Sequence, residues 1–129
     1  MLRRVVLLGL VAASCWGGWA SAEEKAPSKI LFITQSAGFR HGAVNRGKQG
    51  QLAAAEIGLI TLGETSKLFS VDLTQDCHHD VNKANLAKYD IVAFYTTLDL
   101  PIPEADRDYL FNVWGQGEGA RDSGVPLCW

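Results

Sequence analysis

Two short stretches hold the side chains of this chain best suited to chemistry: Gly38-Phe39-Arg40-His41-Gly42 and Tyr95-Thr96-Thr97-Leu98-Asp99. A guanidinium such as Arg40 can clamp a carboxylate or a pair of sugar hydroxyls. A histidine such as His41 can give or take a proton near neutral pH, as a general acid or base does. Gly38 and Gly42 permit a tight turn between them. The hydroxyls of Tyr95, Thr96 and Thr97 and the carboxylate of Asp99 give or accept hydrogen bonds in fixed directions, which suits a polyhydroxylated ligand. Each stretch also has a local alternative. Arg40 can pair with a surface acid, His41 can cap or pack against its own turn, and the threonines can satisfy strand-end backbone.

Other reactive side chains carry less. His78 and His79 stand beside Asp76 and Asp80, but consecutive residues on one loop rarely converge on a single ion, so a solvated loop is expected and no metal. No Cys-x-x-Cys pair or zinc-ligand spacing occurs. Cys77 and Cys128 can be read as a disulfide or as two free thiols, since sequence separation does not place their Cα atoms. Neither lies on a strand-to-helix elbow of the kind that activates a cysteine nucleophile, and no Ser-His-Asp order is visible.

The elements that must position the two stretches follow from periodicity. Ile30-Leu31-Phe32-Ile33 and Asp90–Tyr95 are apolar on both faces, as strands of a parallel sheet covered on each side must be. Leu52, Ala55, Leu59 and Leu62 recur at helical steps, with Gly63 as the stop. Phe69, Val71 and Leu73 alternate with polar residues, the period of a half-buried outer strand. An acidic loop over Gln75–Asn82 and a short turn through Asn85–Lys88 lead to the third strand. Pro103 then opens a helix whose apolar face is Tyr109, Leu110, Val113 and Trp114. This alternation predicts right-handed βαβ units in a doubly wound α/β sheet of about three strands in the order 2-1-3. The two chemical stretches then fall at the carboxyl ends of neighbouring strands, where open parallel sheets bind ligands.

From Lys29 to about Trp114 the chain resembles the ThuA-like (trehalose utilisation) family, a branch of the class I glutamine amidotransferase-like fold. The likeness rests on G-F-R-H after the first strand and on Tyr89-Asp90-Ile91-Val92-Ala93-Phe94-Tyr95-Thr96-Thr97-Leu98-Asp99-Leu100-Pro101-Ile102-Pro103. The resemblance implies a flavodoxin-like sheet and a sugar or sugar-derivative ligand. It marks His41 and Asp99 as catalytic candidates and Gly38, Arg40, Tyr95, Thr96 and Thr97 as ligand contacts. It names no cofactor, and whether the domain is an enzyme or a non-catalytic sugar-binding or interaction module stays open. The family has glycine where this chain has Leu98; at positive φ a leucine there strains or reshapes the turn. Beyond Trp114 the family continues with a G-F-x-G-x-H strand and turn. Here Gly115, Gly117, Gly119, Gly124 and Pro126 break every period, so residues 115–129 read as an irregular tail, frame-shifted or truncated. A sheet ending this way leaves Asp90–Tyr95 with an apolar edge and uncovered apolar faces, and the chain is expected to aggregate as an incomplete or non-functional product.

At the other end, Arg3 and Arg4 precede the apolar run Val5–Ala13, and Ala20-Ser21-Ala22 follows, the three-part pattern of a secretory signal too short to span a bilayer. Lipoprotein processing at Cys15 is the weaker alternative. Removing residues 1–22 leaves a short leader, 23–28, and ten Lys and Arg against fourteen Asp and Glu. An acidic chain without a basic block is a poor partner for nucleic acid. One exported domain, free of the membrane once cleaved, is therefore expected, in the periplasm or outside the cell. Intact-mass analysis of the secreted protein should find Glu23 as the first residue; Met1 or a lipidated Cys15 would contradict the assignment.

Overall fold

The computed structural model describes residues 26–116 and the backbone of residues 127–128. The expected signal segment 1–22, the expected leader up to residue 25 and most of the tail lie outside the described residues. The described chain runs β1 (Ser28–Ile33), α1 (Ala54–Ser66), β2 (Phe69–Thr74), α2 (Cys77–Asp80), α3 (Lys83–Leu86), β3 (Ile91–Phe94), α4 (Glu104–Asp108) and β4 (Leu127–Cys128). All strand pairs are parallel and their order is β2-β1-β3-β4. β1 is thus central, with Ile30 to Ile33 paired to Val71–Thr74 on one edge and to Ile91–Phe94 on the other. The expected 2-1-3 order holds.

β4 corrects the expectation of three strands and a bare β3 edge. Leu127 and Cys128 pair with Ala93 and Phe94, so the carboxyl half of that edge is covered. A two-residue bridge has no periodicity to betray it, which is why the glycine-rich tail concealed it.

Alternation along the strands divides the interior into two cores. Leu31, Ile33, Val92 and Phe94 face α2, α3 and α4, packing with Cys77, Val81, Leu86, Tyr89, Leu110 and Trp114. Leu110 and Trp114 are fully buried, and Trp114 Nε1 donates to the Leu86 carbonyl at 3.2 Å. They lie just beyond α4, where the helical path continues as a π turn over Tyr109–Val113 and a 3-10 turn over Trp114–Gln116. Ile30, Phe32 and Ala93 face the other way, toward α1.

That second core is thin. Of the expected α1 stripe only Ala55 and Leu59 pack on it; Leu52 precedes the helix, and Leu52 and Leu62 are 40% and 56% exposed. The fully buried side chain of α1 is Glu56. Gly63 does not stop the helix, which runs to Ser66 with Lys67 as its left-handed cap. Gly63 is instead the point of closest approach to β2, where a Cβ would stand 2.7 Å from the Phe69 carbonyl oxygen. The helix therefore tilts onto β2 and leaves an open apolar hollow of about 700 Å³ over β1 and β3, walled by Ile30, Phe32, Ile91, Ala93, Leu59 and Leu62. The expectation of a loop over Gln75–Asn82 is also revised, because Asp76 caps α2 by accepting from the His79 amide.

The two faces should respond differently to truncation. Leu110→Ala is expected to cost about 2–5 kcal/mol, the range for a filled core position, and Leu62→Ala less than about 1 kcal/mol because half its surface is already in water. Urea unfolding of the two variants, read as midpoint shifts at constant slope, checks the contrast.

Candidate functional site

The turns after β1 and β3 lie side by side at the carboxyl edge because their strands are neighbours. They are tied to each other. The Ala37 amide donates to the Thr97 carbonyl at 3.1 Å, and the Thr97 hydroxyl donates to the Phe39 carbonyl. Thr97 thus takes the local role of satisfying backbone at the strand end. Gly38 has φ +84° and Leu98 φ +58°. Leu98 adopts the left-handed conformation that favours glycine, and its side chain, 74% exposed, lies across Gly38. A Cβ on Gly38 would meet Leu98 Cδ1 at 2.7 Å. The two turns are therefore fitted to each other as a pair.

The candidate residues fall into two groups. His41 packs edge-on to Phe39 at 5.1 Å and tilted against the half-buried Tyr95 at 5.9 Å between ring centroids, forming an aromatic cluster across the two turns. Arg40 and Gly38 are exposed beside it. Thr96 and Asp99 instead line a smaller hollow of about 230 Å³ with Leu98, Ile102, Arg107 and Phe111, on the side of α4. No hydrogen bond among the described residues joins His41 to Asp99.

Beneath the first turn lies a polar cluster that motif reading passes over. Glu56 is fully buried. Its Oε1 accepts from the Thr34 hydroxyl at 2.6 Å, and the Arg46 guanidinium meets it from Nε at 3.0 Å and Nη2 at 2.9 Å. Oε2 accepts from the Ala53 amide and from Arg46 Nε, each at 3.0 Å. Ala53, the N-cap, has no side-chain acceptor, so only the return half of a capping box forms. Burial pushes the Glu56 carboxyl up, but the hydrogen bonds from Arg46, Thr34 and Ala53 outweigh it and hold its pKa below the ordinary value. The Gln75 amide extends the cluster, donating to the Thr34 hydroxyl at 3.0 Å and the Val44 carbonyl at 2.9 Å. The sequence signal for Glu56 is a glutamate three residues into a helix with an arginine ten residues upstream, a pattern too common to single out.

Cys77 is a free, buried thiol. Burial, with Asp76 and Asp80 adding to it, pushes its pKa up to about 12, so it supplies no thiolate nucleophile near neutral pH. The partner it was expected either to bridge or to leave, Cys128, has its side chain outside the described residues. His79 is held by the Asp76 carboxylate at 2.9 Å on an exposed helix, and no group of three or more metal-ligating side chains occurs among the described residues.

The paired left-handed positions give a directional test. Gly38→Ala is expected to destabilise by about 1–2 kcal/mol, since alanine meets the left-handed penalty. Leu98→Gly removes that penalty while loosening the unfolded chain by about 0.4–1 kcal/mol, so its net effect should be neutral or stabilising. Thermal unfolding should show a lowered midpoint for Gly38→Ala and an unchanged or raised one for Leu98→Gly.

Comparisons of the chain with protein-family models, with curated proteins and with solved structures find no match.

Proposed function

We propose that the chain is an exported ThuA-like domain of flavodoxin-like topology that binds a sugar or sugar derivative at the carboxyl edge of β1 and β3. The observation that carries this reading is the cross-tied pair of turns. In it the exposed His41, next to the exposed Arg40 in the chain, packs against the half-buried Tyr95, and Thr96 and Asp99 line an adjoining hollow. An aromatic face beside a guanidinium suits the mixed apolar and hydroxyl surface of a sugar ring. The substrate class comes from the resemblance of Lys29–Trp114 to the family's motifs.

The non-catalytic form of this reading, a sugar-binding module, is favoured by two features. Cys77 is held as a neutral thiol, and His41 has no carboxylate hydrogen-bonded to it among the described residues, so no acid-base pair is assembled.

Titration of the secreted protein with trehalose and with glucose, followed by calorimetry, tests the function. Saturable binding is expected, weakened tenfold or more, about 1.4 kcal/mol, by Arg40→Ala, with Tyr95→Ala lowering it further than Tyr95→Phe. Product analysis of the same mixtures separates the two forms: unchanged sugar after prolonged incubation fits the binding module, and turnover lost in His41→Ala fits the enzyme. No heat from either sugar at millimolar concentration would count against the reading.

A further inference from the structure

Glu56 does work that its own helix does not require. A half-formed capping box needs one amide acceptor, and an exposed glutamate serves for that. Here the carboxylate is entirely removed from water, and a buried ion pair generally adds no stability over a well-packed apolar replacement. What distinguishes it is the set of segments it joins: Thr34 at the end of β1, Arg46 in the turn region that follows, and Ala53 at the head of α1.

The stretch between Ala37 and Ala53 has few other attachments. Gly38 to Gly42 are exposed, and so are Gly47 to Leu52. Val44 is buried, its carbonyl accepts from Gln75, and its amide donates to the His41 carbonyl at 3.1 Å. Arg46, two residues on, carries the one ion pair of this stretch among the described residues. His41 is thus held between two anchors, the Ala37–Thr97 tie upstream and the Val44–Arg46 attachment downstream.

We infer that Glu56 is the positioning residue of the candidate site: through Arg46 and Thr34 it fixes the 38–46 segment and so sets where Arg40 and His41 stand against Tyr95. The inference rests on reading that segment as a ligand site. Glu56 itself, with no exposed surface, touches no ligand.

Backbone amide hydrogen exchange on the whole secreted chain, run beside trehalose titration, tests it in four proteins: wild type, Glu56→Gln, Arg46→Met and Val81→Ala. Val81→Ala opens a cavity in the opposite core and controls for general loss of stability. Glu56→Gln and Arg46→Met should speed exchange of the Val44 and Asn45 amides at least tenfold with β1 and β3 protection kept, and weaken trehalose about tenfold. Arg46→Lys should recover part of both effects. Val81→Ala should leave the segment and the affinity unchanged. If Glu56→Gln fails to fold, Arg46→Met, at a half-exposed position, carries the comparison. Exchange rising equally in segment and strands, or a loosened segment with unchanged affinity, would overturn the inference. If wild type itself binds no trehalose, the sugar reading fails, and the exchange pattern alone decides whether Glu56 holds the segment.

Discussion

Everything in this structure hangs from the double pairing of β1. A central parallel strand must find hydrogen-bond partners on both edges and apolar cover on both faces, and β1 has all four: β2, β3, the α1 side and the α2–α4 side. Its register then dictates where the chain can turn. Residues 34–41 leave at the carboxyl edge because β1 ends there, and residues 95–99 leave beside them because β3 shares its direction. The ties between Ala37, Phe39 and Thr97 are consequences of that adjacency, and so is the meeting of His41 with Tyr95.

A second constraint acts just below the edge, where backbone regularity stops. Thr34 is the first residue past β1 and is wholly buried; its hydroxyl donates to Glu56 and accepts from Gln75. A buried hydroxyl, carboxylate and amide left unpaired would each cost on the order of 1–3 kcal/mol. Satisfied together, they become an inflexible joint between β1, α1 and the segment after β2. The Ser36 hydroxyl, two residues further along, is the buried side-chain group left without a partner among the described residues. The polar network thus ends where the exposed turn begins.

How much of this was legible in the sequence depends on whether the pattern was local. β1, β2 and β3 were, because runs such as Ile30–Ile33 and the alternation Phe69, Val71, Leu73 each encode burial within one strand. The positive φ of Leu98 was anticipated only on condition of a resemblance, since nothing in a leucine's own neighbours in the chain marks a left-handed turn. α1 was legible as a helix but not in its facing: Leu52, Ala55, Leu59 and Leu62 suggested one apolar contact stripe, whereas with the helix close to β2 at Gly63 only Ala55 and Leu59 pack on the core and Leu62 meets solvent. Glu56 and Arg46 were not legible as a site, since a charged pair reads as surface until a third element, here Thr34, is known to sit above it. β4 was hidden because a two-residue bridge is defined by its partner rather than by its own composition.

The central place of β1 also governs timing. β1 is the first strand synthesised, yet its first partner, β2, ends about 40 residues later, and β3 later still. At a synthesis rate of roughly 5–20 residues per second, β1 waits at least roughly 2–8 s with both edges and both apolar faces unmatched. A polypeptide whose core strand can pair with nothing already made stays open, and closing long loops onto it keeps folding slow afterward. The topology that sets the two turns side by side is thus also one that keeps the nascent chain open until most of it has been made.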